Sequence, residues 1–221
     1  MTKTLHRPDS ELKSAVVDEL MWTPEVNSAH IGVSVNDGAV TLSGEVDSFP
    51  EKRLAGKVAE RVHGVTAIAQ EITVNNTWNA VTDTDIARGA GEAVERAVDV
   101  PDTVKVSVHN RVVTLTGTVP WHFQHEAAER TVHHIKGVKE VVNNVLIRPT
   151  ASPVDIRAGI TAALVRNAQL DGRKIGVETD DAGVVTLEGT IGSWAERRQA
   201  KHSAWAAPGV TGVVDHLRIS Y

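Results

Sequence analysis

Apolar positions recur along the chain in one order, three times over. The segments LKSAVVDELMW, IARGAGEAVERAV and IRAGITAALVRNA place apolar residues at three- and four-residue spacings, the stripe of an amphipathic helix. Ser10 ahead of the first, and Asp85 and Asp155 ahead of the second and third, are the expected helix caps. Alternating positions follow, such as Ile31, Val33 and Val35, then Val40 and Leu42 across Asn36-Asp37-Gly38, which predicts a hairpin. A second helix is predicted over FPEKRLAGKVAERV, with Leu54, Val58 and Val62 on one face, and over its counterparts from Gln124 and Glu196. A Gly-Val pair then opens a last strand.

The copies keep register. AVTLSGEV, VVTLTGTV and VVTLEGTI carry Gly44, Gly117 and Gly189, 73 and then 72 residues apart. The same offsets return at Gly64-Val65, Gly137-Val138 and Gly209-Val210, and again at Ile72, Val145 and Leu217. Three coincident registers establish an internal triplication. The expected organisation is a tail over residues 1–9 and modules over 10–75, 84–148 and 154–221, each of about seventy residues. Trp78 falls in the first connector, and Arg148 to Pro153 carries two prolines in the second.

The fold class is therefore α/β (α+β): three tandem αββαβ modules, each a three-stranded mixed sheet with two helices packed on one face. The crossover from second to third strand is expected to be right-handed and to leave those strands parallel. Thr41, Thr114 and Thr186 give the uncovered face a partly polar character, suited to solvent or to another copy.

Composition narrows the function. Apolar residues make up 41% of the 221, but aromatics only 4%, so the cores are built from Val, Ile, Leu and Ala. The absence of cysteine excludes disulfides, thiolate metal sites and cysteine nucleophiles. Neither a signal-peptide apolar stretch nor a membrane-length apolar run is present, so a cytoplasmic protein is expected, at most peripheral to a membrane. A net charge of −5 without a Lys/Arg run argues against nucleic acid as a partner. No nucleophile elbow, phosphate loop or dinucleotide glycine pattern occurs, and no acid, base or nucleophile set recurs in the three copies. A non-enzymatic protein without cofactor or metal is expected.

The block GVVTLxGxV, a helix with spaced alanines, then xxGVxxVxNxLxV resembles the BON (bacterial OsmY and nodulation) domain in all three copies. The second copy, VVTLTGTVPWHFQHEAAERTVHHIKGVKEVVNNVLI, carries the resemblance most fully. It implies the αββαβ fold and a role in binding phospholipid surfaces, in osmotic or envelope stress, or in assisting other proteins.

Four groups of residues are candidates for function. Gly44, Gly64, Gly117, Gly137, Gly189 and Gly209 are read as backbone specialists that end a strand or a helix. Phe49, Trp121, Phe123 and Trp194 stand between second strand and second helix, and suit a contact with the core or between copies, or a wedge for a bilayer. The stripes Arg53, Lys57, Arg61 and Arg197, Arg198, Lys201 suit either a solvated helix face or anionic headgroups. His122 and His125, three apart near Glu126 and Glu129, have the spacing of a divalent-metal contact, but the other copies lack these histidines and a pH-sensitive surface is the simpler reading. The leading expectation is a BON-family binding protein for anionic phospholipid or a membrane-associated protein. Its alternatives are a stress-related chaperone or assembly scaffold, and an ion- or osmolyte-responsive sensor.

Overall fold

The computed structural model describes residues 8–75, 81–148, 152–167 and 174–219, with the Trp194 side chain excepted. Trp78 and the first connector proline, Pro149, lie outside them, whereas the second, Pro153, opens a helix. The chain divides into two compact units, residues 1–89 with 108–113 and 133–141, and residues 90–107 with 114–132 and 142–221, so the second module is shared between them.

The order αββαβ is met three times: α1 (Asp9–Met21), β1 (Ile31–Asn36), β2 (Ala39–Val46), α2 (Phe49–Glu60) and β3 (Ala67–Val74); α3 (Asp83–Arg96), β4 (Lys105–His109), β5 (Val112–Val119), α4 (His122–Val132) and β6 (Glu140–Ile147); α5 (Pro153–Arg166), β7 (Ile175–Thr179), β8 (Val184–Ile191), α6 (Trp194–Trp205) and β9 (Gly212–Ile219). The three sheets have the orders β1-β2-β3, β4-β5-β6 and β7-β8-β9. In the first, β1 pairs antiparallel to β2 with Val33 opposite Leu42, and β3 runs parallel with Ile72 opposite Gly44. The third repeats this, with Val177 opposite Leu187 and Leu217 opposite Gly189.

Each core lies between one sheet face and two helices. Leu12, Val16 and Leu20 of α1 are buried, as are Ile86, Ala90 and Val94 of α3 and Ile156, Ile160 and Leu164 of α5. The central strands bury Val40, Leu42 and Val46, Val113, Leu115 and Val119, and Val185, Leu187 and Ile191. The second helices add alanines at one repeat position, Ala55, Ala128 and Ala200, each fully buried, where a small side chain lets a helix lie close on a sheet. The opposite face stays open: Ser34, Ala67, Ala69 and Glu71 are exposed, and Thr41, Thr114 and Thr186 are half-buried.

The first glycine landmark sits inside a strand rather than at its end. Gly44 is where β1 stops pairing while β2 continues along β3. Its φ is 118°, and those of Gly117 and Gly189 are both 135°. A Cβ at these places would overlap the backbone carbonyl of His30, Thr103 or Lys174. The neighbouring chain therefore admits only glycine.

Helix starts also differ from expectation. Ser10 lies within α1, which follows Pro8 with no side-chain cap. Asp85 and Asp155 stand in the first turn, and the caps are three residues earlier: the Thr82 hydroxyl accepts from the Asp85 amide at 3.2 Å, and Ser152 does the same for Asp155. Ser48 and Ser193 cap α2 and α6 for Glu51 and Glu196. The acid reaches back past the cap and accepts from the preceding amide, Glu51 from Asp47 and Glu196 from Gly192, so each helix entry is held from both sides.

Candidate binding surface

The hairpin turns of the first two modules are fixed from the first helix of each. Asp37 and Gly38 both have positive φ, 48° and 78°, the geometry of a two-residue primed turn. The Asp9 carboxylate accepts from both of their amides. Asp83 takes the Asn110 and Arg111 amides in the same way, at 2.8 and 2.9 Å. The third module closes its turn from within, through Asp180 to Ala182 and Val184. Turn carbonyls at Gly38, Arg111 and Gly183 then accept from Thr66, Lys139 and Thr211 ahead of each last strand.

A polar residue at one repeat position ties each last strand to the second helix of its own module. Gln70 donates to the Lys52 carbonyl, Asn143 donates to the His125 carbonyl at 2.9 Å, and Asp215 accepts from Arg197 Nε at 2.7 Å. Burial works to raise the Asp215 pKa. Hydrogen bonds from Arg197 and the Leu217 amide, with the charges of Arg197 and Lys201, outweigh it and hold the carboxyl below its usual range.

The sequence candidates separate accordingly. Phe49 is 7% exposed and meets the His133 ring edge-on at 5.4 Å. Arg53 Nη1 lies 2.8 Å from His133 Nε2. Arg197 and Lys201 face Asp215, whereas Lys57, Arg61 and Arg198 are exposed. Trp121 is half-buried, 6.1 Å from Phe123, which is 47% exposed. His122 stacks on Trp205 at 3.8 Å and on His125 at 6.0 Å. Its Nδ1 is buried without a partner, and burial lowers its pKa, with Glu126 opposing and His125 adding to the shift. Among the described residues, no three His, Asp or Glu side chains are gathered to hold a metal ion.

Met21 and Trp22, at the end of α1, had no place among the candidates. They are 68% and 85% exposed. The buried stripe Leu12, Val16, Leu20 has already been completed, so both fall off its face; a large apolar pair off the stripe was the available signal.

The chain belongs to the BON-domain family, whose model matches residues 8–76, 82–149 and 154–221. Osmotically-inducible protein Y of Escherichia coli (strain K12) is 30% identical over 142 residues, covering 62% of this chain and 69% of that protein. Among solved structures, the C-terminal domain of CdsD, a structural protein of the type III secretion system of Chlamydia trachomatis, aligns over 96% of this chain and 98% of its own at 12% identity and a TM-score of 0.28. The periplasmic domain of the inner-membrane protein PrgH from S. typhimurium covers 86% and 94% at 11% identity and 0.23. Scores this low carry nothing over to this chain. Among the described residues no helix is long and apolar enough to cross a membrane.

Proposed function

We propose that this BON-domain protein is a non-catalytic binding and scaffold protein that engages anionic phospholipid surfaces during osmotic stress. The observation that carries the reading is the exposed Met21-Trp22 pair, a side-chain combination suited to the boundary between headgroups and acyl chains. The exposed Lys57, Arg61 and Arg198 supply cations for anionic headgroups. The name of the Escherichia coli relative supports the stress setting. No acid, base and nucleophile set recurs through the described parts of the modules, which favours binding over catalysis.

Flotation with neutral and with anionic vesicles, at low and physiological salt, tests this. The expected result is salt-sensitive flotation with anionic lipid, weakened at least about ten-fold by Trp22→Ala through lost apolar burial. Absence of flotation in every condition removes the lipid reading. A second reading, an apolar protein segment held as client, is favoured by the groove of about 260 Å³ beside Met21, lined by Val17, Leu20, Ala29, Ile31 and Val33. Suppression of model-client aggregation that Met21→Ser abolishes would support it.

A further inference from the structure

Two contacts in this chain are one contact used twice. Phe49, His122 and Trp194 are the first residues of α2, α4 and α6, and Glu60, His133 and Trp205 are equivalent positions at the far ends of those helices. Phe49 meets His133 and His122 meets Trp205, so in each pair the start of one second helix receives the end of the next. The surroundings repeat as well. Residues Asp47 to Pro50 face His133 to Val138 across a pocket of about 250 Å³, and the Gly209 amide donates to the Pro120 carbonyl at 2.8 Å.

This use is asymmetric, and it runs out at both ends of the array. Val138, Gly209 and Val210 are buried, while the first-module equivalents Gly64 and Val65 remain half-buried. At the other end Arg198 is exposed, while its first-module equivalent Arg53 is half-buried. The charges at these two ends match. Arg53 reaches His133 within the chain; at the corresponding places the outer ends carry Arg198 and Glu60, both exposed and of opposite charge.

We propose that a second copy of this chain is the partner for these ends: residues 60–65 of one copy dock against residues 192–198 of another, with Glu60 facing Arg198. A head-to-tail contact of this kind continues from copy to copy until it closes on itself. Separate chains lack the millimolar-scale effective concentration that linkage gives modules within one chain, so association is sought at protein concentrations of roughly 10 μM to 1 mM.

Sedimentation velocity of the full chain over that range, in low salt and without lipid, decides the matter. The wild type is expected to sediment faster as concentration rises. Glu60→Arg and Arg198→Glu should each weaken association roughly five-fold, and the double exchange should restore it. Both side chains are exposed, and unchanged circular dichroism will show that the variants fold. A sedimentation coefficient independent of concentration overturns the proposal. So does association that neither single variant alters, or a double exchange that fails to recover it.

Discussion

Glycine has opposite worth at different positions in this chain. Gly117 combines a φ of 135° with a Cβ direction that runs into the Thr103 carbonyl, whereas Gly91 stands in helix α3, where a methyl group would find nothing within 4 Å. Gly117→Ala is expected to lose roughly 1–3 kcal/mol from backbone conformation alone, with the overlap adding to it. Gly91→Ala should gain about 0.8–1 kcal/mol in helix propensity. Urea unfolding of the two variants would check both signs. The recurrence at 44, 117 and 189 was visible in the sequence, and so was a backbone role. Their position inside a strand was not, because β2 outlasts β1 only in three dimensions: the first strand stops pairing at Gly44 while the parallel third continues to Val74.

At the level of elements, apolar periodicity carried the sequence of helices and strands, and side-chain chemistry at their ends was harder to assign. Thr82 and Asp85, or Ser152 and Asp155, form a reciprocal pair in which the hydroxyl residue is the cap and the acid sits in the first turn. Either polar residue resembles a cap when each is considered singly. The grip of Asp9 and Asp83 on the hairpin turns spans 28 residues and has no local signature. Asp83 holds the more strained turn, since Asn110 and Arg111 both have positive φ without a glycine. Asp83→Ala should therefore cost about 1–3 kcal/mol, and Asp9→Ala, acting on a turn that already contains Gly38, should cost less. Paired urea titrations of the two variants would show this ordering; equal losses would remove the role assigned to turn strain.

Across the whole molecule, aromatic and basic residues marked as surface candidates serve partly as internal fittings: Phe49 and Arg53 both meet His133, and Arg197 meets Asp215. Their chemistry was legible, but whether a partner lay within the chain depended on contacts between distant positions. His122 gives such a contact a pH dependence. Its neighbours are Trp205, His125 and Glu126, and burial holds its folded pKa below the ordinary value of about 6.5. The neutral ring is the form that folding favours, so its stabilisation is complete above about pH 6.5 and is lost as pH falls through the lower folded pKa. Thermal unfolding between about pH 5 and 8 should show this decline, and His122→Phe, which installs the residue found at Phe49, should flatten it. Asp215, also depressed, acts in a separate and more acidic window, below about pH 4. The three ties between last strand and second helix have a consequence for assembly during synthesis. Central strands as alike as VVTLTGTV and VVTLEGTI invite a module to accept its neighbour's last strand. An exchanged strand would arrive with the wrong partner: Asp215 brought against the His125 carbonyl sets acceptor against acceptor, and Asn143 brought to Arg197 gives the guanidinium a neutral amide in place of a carboxylate. The varied polar residue at 70, 143 and 215 would thus act as an address, favouring in each of three similarly built modules the strand that belongs to it.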